Sequence, residues 1–242
     1  MPQIANLVRR TVPSANTEGN NVQVRGDRYG GLWLPGPAQA AEEGQVFVAT
    51  NPTMGTGLAG AAATTAFSAT AALCILRSTA SAGGKSILPV SIRMVNTAAG
   101  TGGVSAHVAL VIDTINRYSS GGALLVPSST RNDDAPASIC SPYFGALVAA
   151  AATNQRILGR TVLKTQVAPC WTIGDEVHIT FGCWGSNGNP GGGPIAGTTP
   201  VSIAKQMAPI AVTPGGSMVM HVWQPSQSAA ASWEVEIVWW ER

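Results

Sequence analysis

The segment Ser232–Glu241 alternates apolar and acidic side chains with a period of two residues. Glu234 and Glu236 fall on one face of an extended chain, and the opposite face carries four apolar side chains, Trp233, Val235, Ile237 and Trp239. A helix would need a repeat of about 3.6 residues, so the segment is predicted to be a β-strand. Because Val238 and Trp240 are apolar on the glutamate face, we predict that Val238, Trp239 and Trp240 contact the core or a second subunit.

Similar short apolar segments recur along the chain and are separated by glycine, proline and asparagine. Those predicted to be strands include residues 45–50, 73–77, 86–97, 104–115, 156–166, 176–184 and 217–224. Residues 86–97 and 104–115 flank the Gly-rich turn 100–103, which predicts that they are neighbours in one antiparallel sheet. Residues 119–122 are predicted to be a turn, residues 61–72 fit a short helix or a loop, and residues 143–152 fit a helix or a strand. Together these segments predict an all-β fold, an antiparallel β-sandwich with the jelly roll as its subtype.

Residues 1–43 differ from the remainder of the chain. They hold a large share of the charged residues, four prolines and little regular pattern. Such a segment buries little apolar area by itself, so we predict an extended N-terminal arm that lies on its own domain or on a neighbour. Residues 44–242 then form the single β-sandwich domain.

Charged residues make up only 11% of the chain, against about 25% in an ordinary soluble domain. A surface with so few charges does little to keep molecules apart, which favours a protein that is covered by partners in an assembly. The net charge of +2 is too small to indicate nucleic acid as a partner. Polar residues interrupt every apolar run, and the first ten residues lack an apolar core, so we expect no membrane span and synthesis in the cytoplasm.

No pattern in the sequence indicates catalysis, a cofactor or a metal. The cysteines, Cys74, Cys140, Cys170 and Cys183, are too far apart for a Cys-x-x-Cys motif and are expected to be buried free thiols. Each histidine, His107, His178 and His221, lies in a different predicted strand without a second ligand at metal spacing. Four acidic pairs occur, at 42–43, 133–134, 175–176 and 234/236, and each is explained by solvated turn or edge positions. A convergent metal site and a glycosidase pair at Asp175 and Glu176 stay open as minor alternatives.

The seven tryptophans offer a further alternative. They are Trp33, Trp171, Trp184, Trp223, Trp233, Trp239 and Trp240. Exposed tryptophan rings on a sandwich stack on sugar rings, so a carbohydrate-binding module that recognises a surface glycan is a competing function. Two exposed and coplanar rings at one end of the sandwich would favour it.

Two segments carry a resemblance to a known family. Residues 24–60 contain Arg-Tyr-Gly at 28–30, and residues 213–242 contain Trp-Gln-Pro-Ser-Gln at 223–227 and Trp-Glu-Arg at 240–242. With these motifs the chain resembles virion structural proteins of tailed bacteriophages that are encoded near the major capsid protein. The resemblance implies a capsid decoration or cement protein, with a jelly-roll-like domain, that forms a homotrimer on the head surface.

From the resemblance and the arm together we predict contacts with the major capsid protein or a neighbouring subunit. The arginines of the arm, Arg9, Arg10, Arg25 and Arg28, are expected to meet acidic residues of the shell. The expected location is the virion, on the capsid surface. A tail, collar or spike component is the alternative within the virion.

Overall fold

The computed structural model describes residues 37–60, 66–132, 137–165, 169–182 and 201–242. One short helix and many strands form within these ranges. In chain order they are α1 (Pro37–Glu42), β1 (Val46–Thr50), β2 (Leu58–Ala59), β3 (Ala71–Ser78), β4 (Ile87–Ala98), β5 (Thr101–Gly102), β6 (Ser105–Asp113), β7 (Tyr118–Leu124), β8 (Ser128–Ser129), β9 (Cys140–Ala149), β10 (Arg156–Thr165), β11 (Glu176–Phe181), β12 (Ser202–Met207), β13 (Ser217–Trp223), β14 (Gln227–Ala229) and β15 (Ser232–Glu241).

Most strands belong to two sheets that pack against each other. The seven-stranded sheet has the order β12-β11-β4-β15-β1-β8, with β2 also paired to β15. The six-stranded sheet has the order β10-β6-β13-β3-β9-β7. Strand pairs in both sheets are antiparallel except β11 and β12, which are parallel. The predicted all-β sandwich is confirmed, whereas the jelly-roll subtype stays a prediction.

The core lies between the two sheets and draws side chains from both. Trp239 stacks on Phe47 with ring centroids 6.0 Å apart, and Trp171 meets Trp233 edge to face at 4.9 Å. Burial of each large apolar side chain contributes about 1.5–3 kcal/mol, so these aromatic layers supply much of the force that holds the sheets together.

Strand β15 has the alternation that its sequence predicts. Its four inward side chains, Trp233, Val235, Ile237 and Trp239, are all buried. The strand lies in the middle of the seven-stranded sheet, between β4 and β1. Val238 and Trp240 lie on the outer face and are half-buried. Trp239 is therefore a core residue, while contact of Val238 and Trp240 with a second subunit stays a prediction.

The predicted antiparallel pairing of residues 86–97 with 104–115 is wrong. Strand β4 belongs to the seven-stranded sheet and β6 to the six-stranded sheet, so the chain passes between sheets at residues 99–104. The glycines there permit close packing rather than a hairpin. Gly102 has φ +72°, and a Cβ added to it would lie 2.4 Å from the carbonyl oxygen of Ser226.

The structure also decides three local predictions. Residues 143–152 fitted either a helix or a strand, and the strand β9 occupies most of that range. Residues 119–122 are not a turn, because they lie within β7, where Gly121 and Gly122 adopt positive φ. Inside the predicted arm, Pro37–Glu42 forms a helix rather than extended chain, and the residues before it lie outside the described part.

Candidate interaction surface

A buried ion pair holds the loops at one end of the six-stranded sheet. Arg117 is fully buried, and its guanidinium lies 3.4 Å from the carboxylate of Asp113. Arg117 also donates to the carbonyl oxygens of Ala69 and Ala150 and to the side chain of Gln155. Burial alone would raise the pKa of Asp113, but hydrogen bonds from backbone amides outweigh it and lower the pKa. Each nitrogen of this guanidinium donates to protein, so the pair serves to tie these loops together.

The acidic pair Asp175 and Glu176 is divided between two separate contacts. Asp175 is buried and accepts a 2.6 Å hydrogen bond from Lys164 and a 2.7 Å bond from the amide of Thr172. Burial acts to raise the pKa of Asp175, and the Lys164 and amide hydrogen bonds lower it overall. Glu176 lies on the sheet surface, 2.7 Å from the guanidinium of Arg93. The two carboxylates stabilise strand ends and do not face each other across a cleft, as a glycosidase would require.

Other described carboxylates accept hydrogen bonds from protein donors or lie in solvent. Glu234 accepts a hydrogen bond from the amide of Gly55, and Glu236 is exposed on β15. Glu241 is buried and binds the amide of Ile139 at 3.0 Å and the indole of Trp239 at 3.1 Å. Asp133 and Asp134 lie outside the described residues. Glu234 and Glu241 are thus held by donors of the fold itself.

The histidines do not converge. His178 lies on β11 in the seven-stranded sheet, whereas His107 and His221 lie on the outer face of the six-stranded sheet. His107 Nε2 lies 2.9 Å from the hydroxyl of Ser105, but no described carboxylate is hydrogen-bonded to this histidine to complete a nucleophilic triad. Across the described ranges no three metal-ligating side chains come close enough to share an ion.

The tryptophans of the described residues provide no platform for a sugar ring. Trp171, Trp223, Trp233 and Trp239 are buried, and Trp240 is half-buried. A small cleft lined by Trp171, Trp233, Gln224 and Gln227 has room for a water molecule rather than a sugar. Trp33 and Trp184 lie outside the described part. Two exposed and coplanar tryptophan rings, which would favour carbohydrate binding, are therefore absent from the described ranges.

The thiols within the described ranges are buried and free, as predicted for Cys74, Cys140 and Cys170. Burial raises the pKa of Cys74 to about 12 and that of Cys170 to about 11. It also raises the pKa of Cys140 well above the usual value, and the charge of Glu241 adds to that effect. These thiols stay protonated at neutral pH and are poor nucleophiles.

Exposed apolar side chains gather instead on strand β10. Ile157 is 61% exposed and Val162 is 48% exposed, and the adjacent Leu158 is also exposed. Strand β10 is the last strand at its side of the six-stranded sheet and pairs only with β6 among the described strands. Large apolar side chains on an open edge strand are uncommon in a protein that works alone.

The register of β10 places an arginine between these apolar side chains. Ile157, Arg160 and Val162 lie opposite Val111, Ala109 and His107 of β6, respectively. Residues directly opposite in a ladder share a face, and Val111 packs on the outer side of this sheet. Ile157, Arg160 and Val162 therefore form one outward row, which we call the β10 row.

A cluster of aromatic rings supports the β10 row from the side. The Arg160 guanidinium lies 5.7 Å from the ring centroid of Trp223. Trp223 stacks on His107 at 5.2 Å and meets Phe67 edge to face at 5.2 Å. Because Trp223 is buried and packed against these rings, it gives the Arg160 guanidinium a fixed aromatic surface.

Of the predicted contact residues, those at the end of β15 lie in the described part of the chain. Arg9, Arg10, Arg25 and Arg28 lie outside the described residues. Val238 and Trp240 lie on the outer face of the other sheet and are less exposed than the β10 row. The β10 row is not visible in the sequence, because a β-bulge at Leu158 shifts the register, so that Ile157 and Arg160 share a face despite their odd spacing.

Comparison of the chain with known protein families, with curated proteins and with solved structures finds no match. Separately, the described helix is too short to cross a membrane.

Proposed function

We propose that this protein is a non-enzymatic structural component of a bacteriophage virion, a decoration or cement protein. It binds the outside of the head, contacts the major capsid protein and ties neighbouring capsomers together. The protein acts as a homotrimer, and its location is the capsid surface. The family resemblance of residues 24–60 and 213–242 supports the virion assignment.

The observation that carries the proposal is the β10 row. It combines exposed Ile157 and Val162 with Arg160 on an open sheet edge. Apolar area that is buried on binding contributes roughly 25 cal/mol per Å², less the cost of ordering the partners. A modest contact of this kind becomes strong when it is repeated over the many equivalent positions of a shell.

The low content of charged residues supports the same conclusion. With 11% charged residues, electrostatic repulsion between molecules is weak, so solubility depends on covering the surface with partner proteins. The four arginines of the arm, Arg9, Arg10, Arg25 and Arg28, offer cationic side chains to acidic shell residues, although residues 1–43 also hold four acidic residues.

Pelleting with purified heads tests the proposal. Heads from a phage that lacks this gene are mixed with the purified full chain, and the bound protein is measured in the pellet. We expect saturable binding to heads and none to isolated tails, with binding lost when residues 1–20 are deleted from a chain whose circular dichroism is unchanged. Binding to tails alone would identify a tail component, and binding to neither would refute a structural role in the virion.

A further inference from the structure

We propose that the open edge of strand β10 is a docking site for an acidic, extended segment of a partner protein, which adds to the six-stranded sheet as an antiparallel strand. The inference rests on the proposed function, since it names the surface and the chemistry through which a structural component would hold its neighbour.

The edge has the backbone geometry that strand addition requires. Alternate amide and carbonyl groups of an edge strand point away from its only neighbour and have no ladder partner. In β10 the ladder with β6 is regular over residues 159–162, between bulges at Leu158 and Leu163. A partner strand of four to six residues would pair with this regular part.

The side chains of the β10 row specify what the partner presents. Directly opposite residues of adjacent strands lie about 4.5–5.5 Å apart, so a partner residue opposite Arg160 would lie beside its aliphatic stem. The guanidinium, which rests against Trp223 beyond β6, would turn towards the edge to meet a carboxylate there. Arg160 forms no ion pair with any described carboxylate, and its planar fork suits a glutamate or aspartate. Val162 lies two residues further along the same face and requires an apolar neighbour.

The same features disfavour a second copy of β10 as the occupant. Arg160 is exposed on the outer face of this strand. Pairing of two such strands would place two Arg160 side chains on one face of the ribbon, and like charges that lie close together in a ladder are destabilising. The two bulges also limit edge-to-edge pairing of identical chains. An acidic strand has none of these conflicts.

The inward side of β10 is already occupied, which leaves the edge and the outer face for a partner. A Cβ added at Gly159 would lie 3.0 Å from the Sδ and Cε atoms of Met207 on β12. Lys164, further along the strand, is bound to Asp175. The core side of the strand is therefore packed at Gly159 and Lys164, which leaves the β10 row and the edge for a partner.

A synthetic peptide tests the inference without any phage particle. The probe is a ten-residue peptide in which threonine alternates with glutamate or valine, so that one face presents glutamate and valine in turn. The comparison peptide has lysine in place of each glutamate. Amide hydrogen exchange of the full chain is followed by NMR with and without each peptide.

In the free chain we expect alternate amides of residues 159–162 to exchange fast, and the acidic peptide to slow them at least tenfold. The lysine peptide should have no effect. Arg160→Glu and Val162→Lys should each weaken binding of the acidic peptide at least tenfold. The matched controls Arg242→Glu and Val126→Lys, at exposed positions elsewhere, should leave it unchanged.

Three results would overturn the inference. The first is slow exchange of all these amides in the free chain, which would mean that another part of the chain already covers the edge. The second is equal protection of the amides by both peptides. The third is protection that is confined to other strands. Since the peptide experiment needs no heads, loss of head binding with intact peptide binding would refute the proposed function and leave the docking site standing.

Discussion

Arg117 shows how a single polar residue can be part of the core. Its guanidinium is fully buried and is satisfied by Asp113, Gln155 and two carbonyl oxygens. Removal of one partner of a buried pair leaves an uncompensated charge and costs about 3–5 kcal/mol, whereas an exposed pair is worth about 0–1 kcal/mol.

We therefore predict that Arg117→Met lowers the free energy of unfolding by about 3–5 kcal/mol. The control Arg93→Met, which breaks the half-exposed pair with Glu176, should lower it by less than about 1 kcal/mol. Urea denaturation of both variants measures the difference. Equal losses would mean that the buried pair is not the tie described above.

His221 makes stability depend on pH. Burial lowers the pKa of His221, and the charge of Arg117 lowers it further, against an opposing hydrogen bond to the carbonyl of Ala71. The unfolded chain thus takes up a proton near pH 6.5 while the folded chain does not, so stability falls as the pH drops below about 6.5 towards the lower folded pKa.

Unfolding measured at pH 7.5 and pH 5.5 checks this sign. We expect the free energy of unfolding to fall between these two values, and His221→Asn to remove part of that fall because its amide cannot be protonated. His178→Asn, on the other sheet, is the control and should leave the fall in place. An unchanged pH dependence in His221→Asn would contradict the assignment.

Individual strands were easier to predict from the sequence than their neighbours. Strand β15 could be predicted because its alternation reflects burial of one face, and β9 needed the structure to decide between helix and strand. The link between β4 and β6 was misread, since a glycine-rich turn has the same composition whether it closes a hairpin or crosses between sheets. The β10 row was hidden by a bulge, which no period in the sequence marks.

Glycine substitutions test the interpretation of that link. Gly83 and Gly102 both have positive φ, but a Cβ at Gly83 meets nothing within 4 Å, while one at Gly102 would clash with the carbonyl oxygen of Ser226. We predict that Gly83→Ala costs about 1 kcal/mol, the conformational term alone, and that Gly102→Ala costs at least about 1 kcal/mol more. Thermal unfolding measures both, and equal costs would show that the crossing is loosely packed.

For the whole molecule, two surfaces on opposite sheets are assigned different partners. Val238 and Trp240 lie on the outer face of the seven-stranded sheet, and the β10 row lies on the other sheet. We predict by light scattering a species of three times the 24.7 kDa chain mass. Val238→Lys should dissociate it, because the substitution places a charge in an apolar contact, while Val162→Lys should leave it intact. A monomeric wild-type chain at high concentration would contradict the trimer.

One measurement tests both the virion assignment and the β10 docking site: a cryo-electron microscopy reconstruction of the phage particle that carries this gene. Our account predicts the sandwich on the outside of the head, with an acidic strand of a neighbouring subunit paired along residues 159–162. A head without this chain, or a chain on the head whose β10 edge faces solvent, would contradict it.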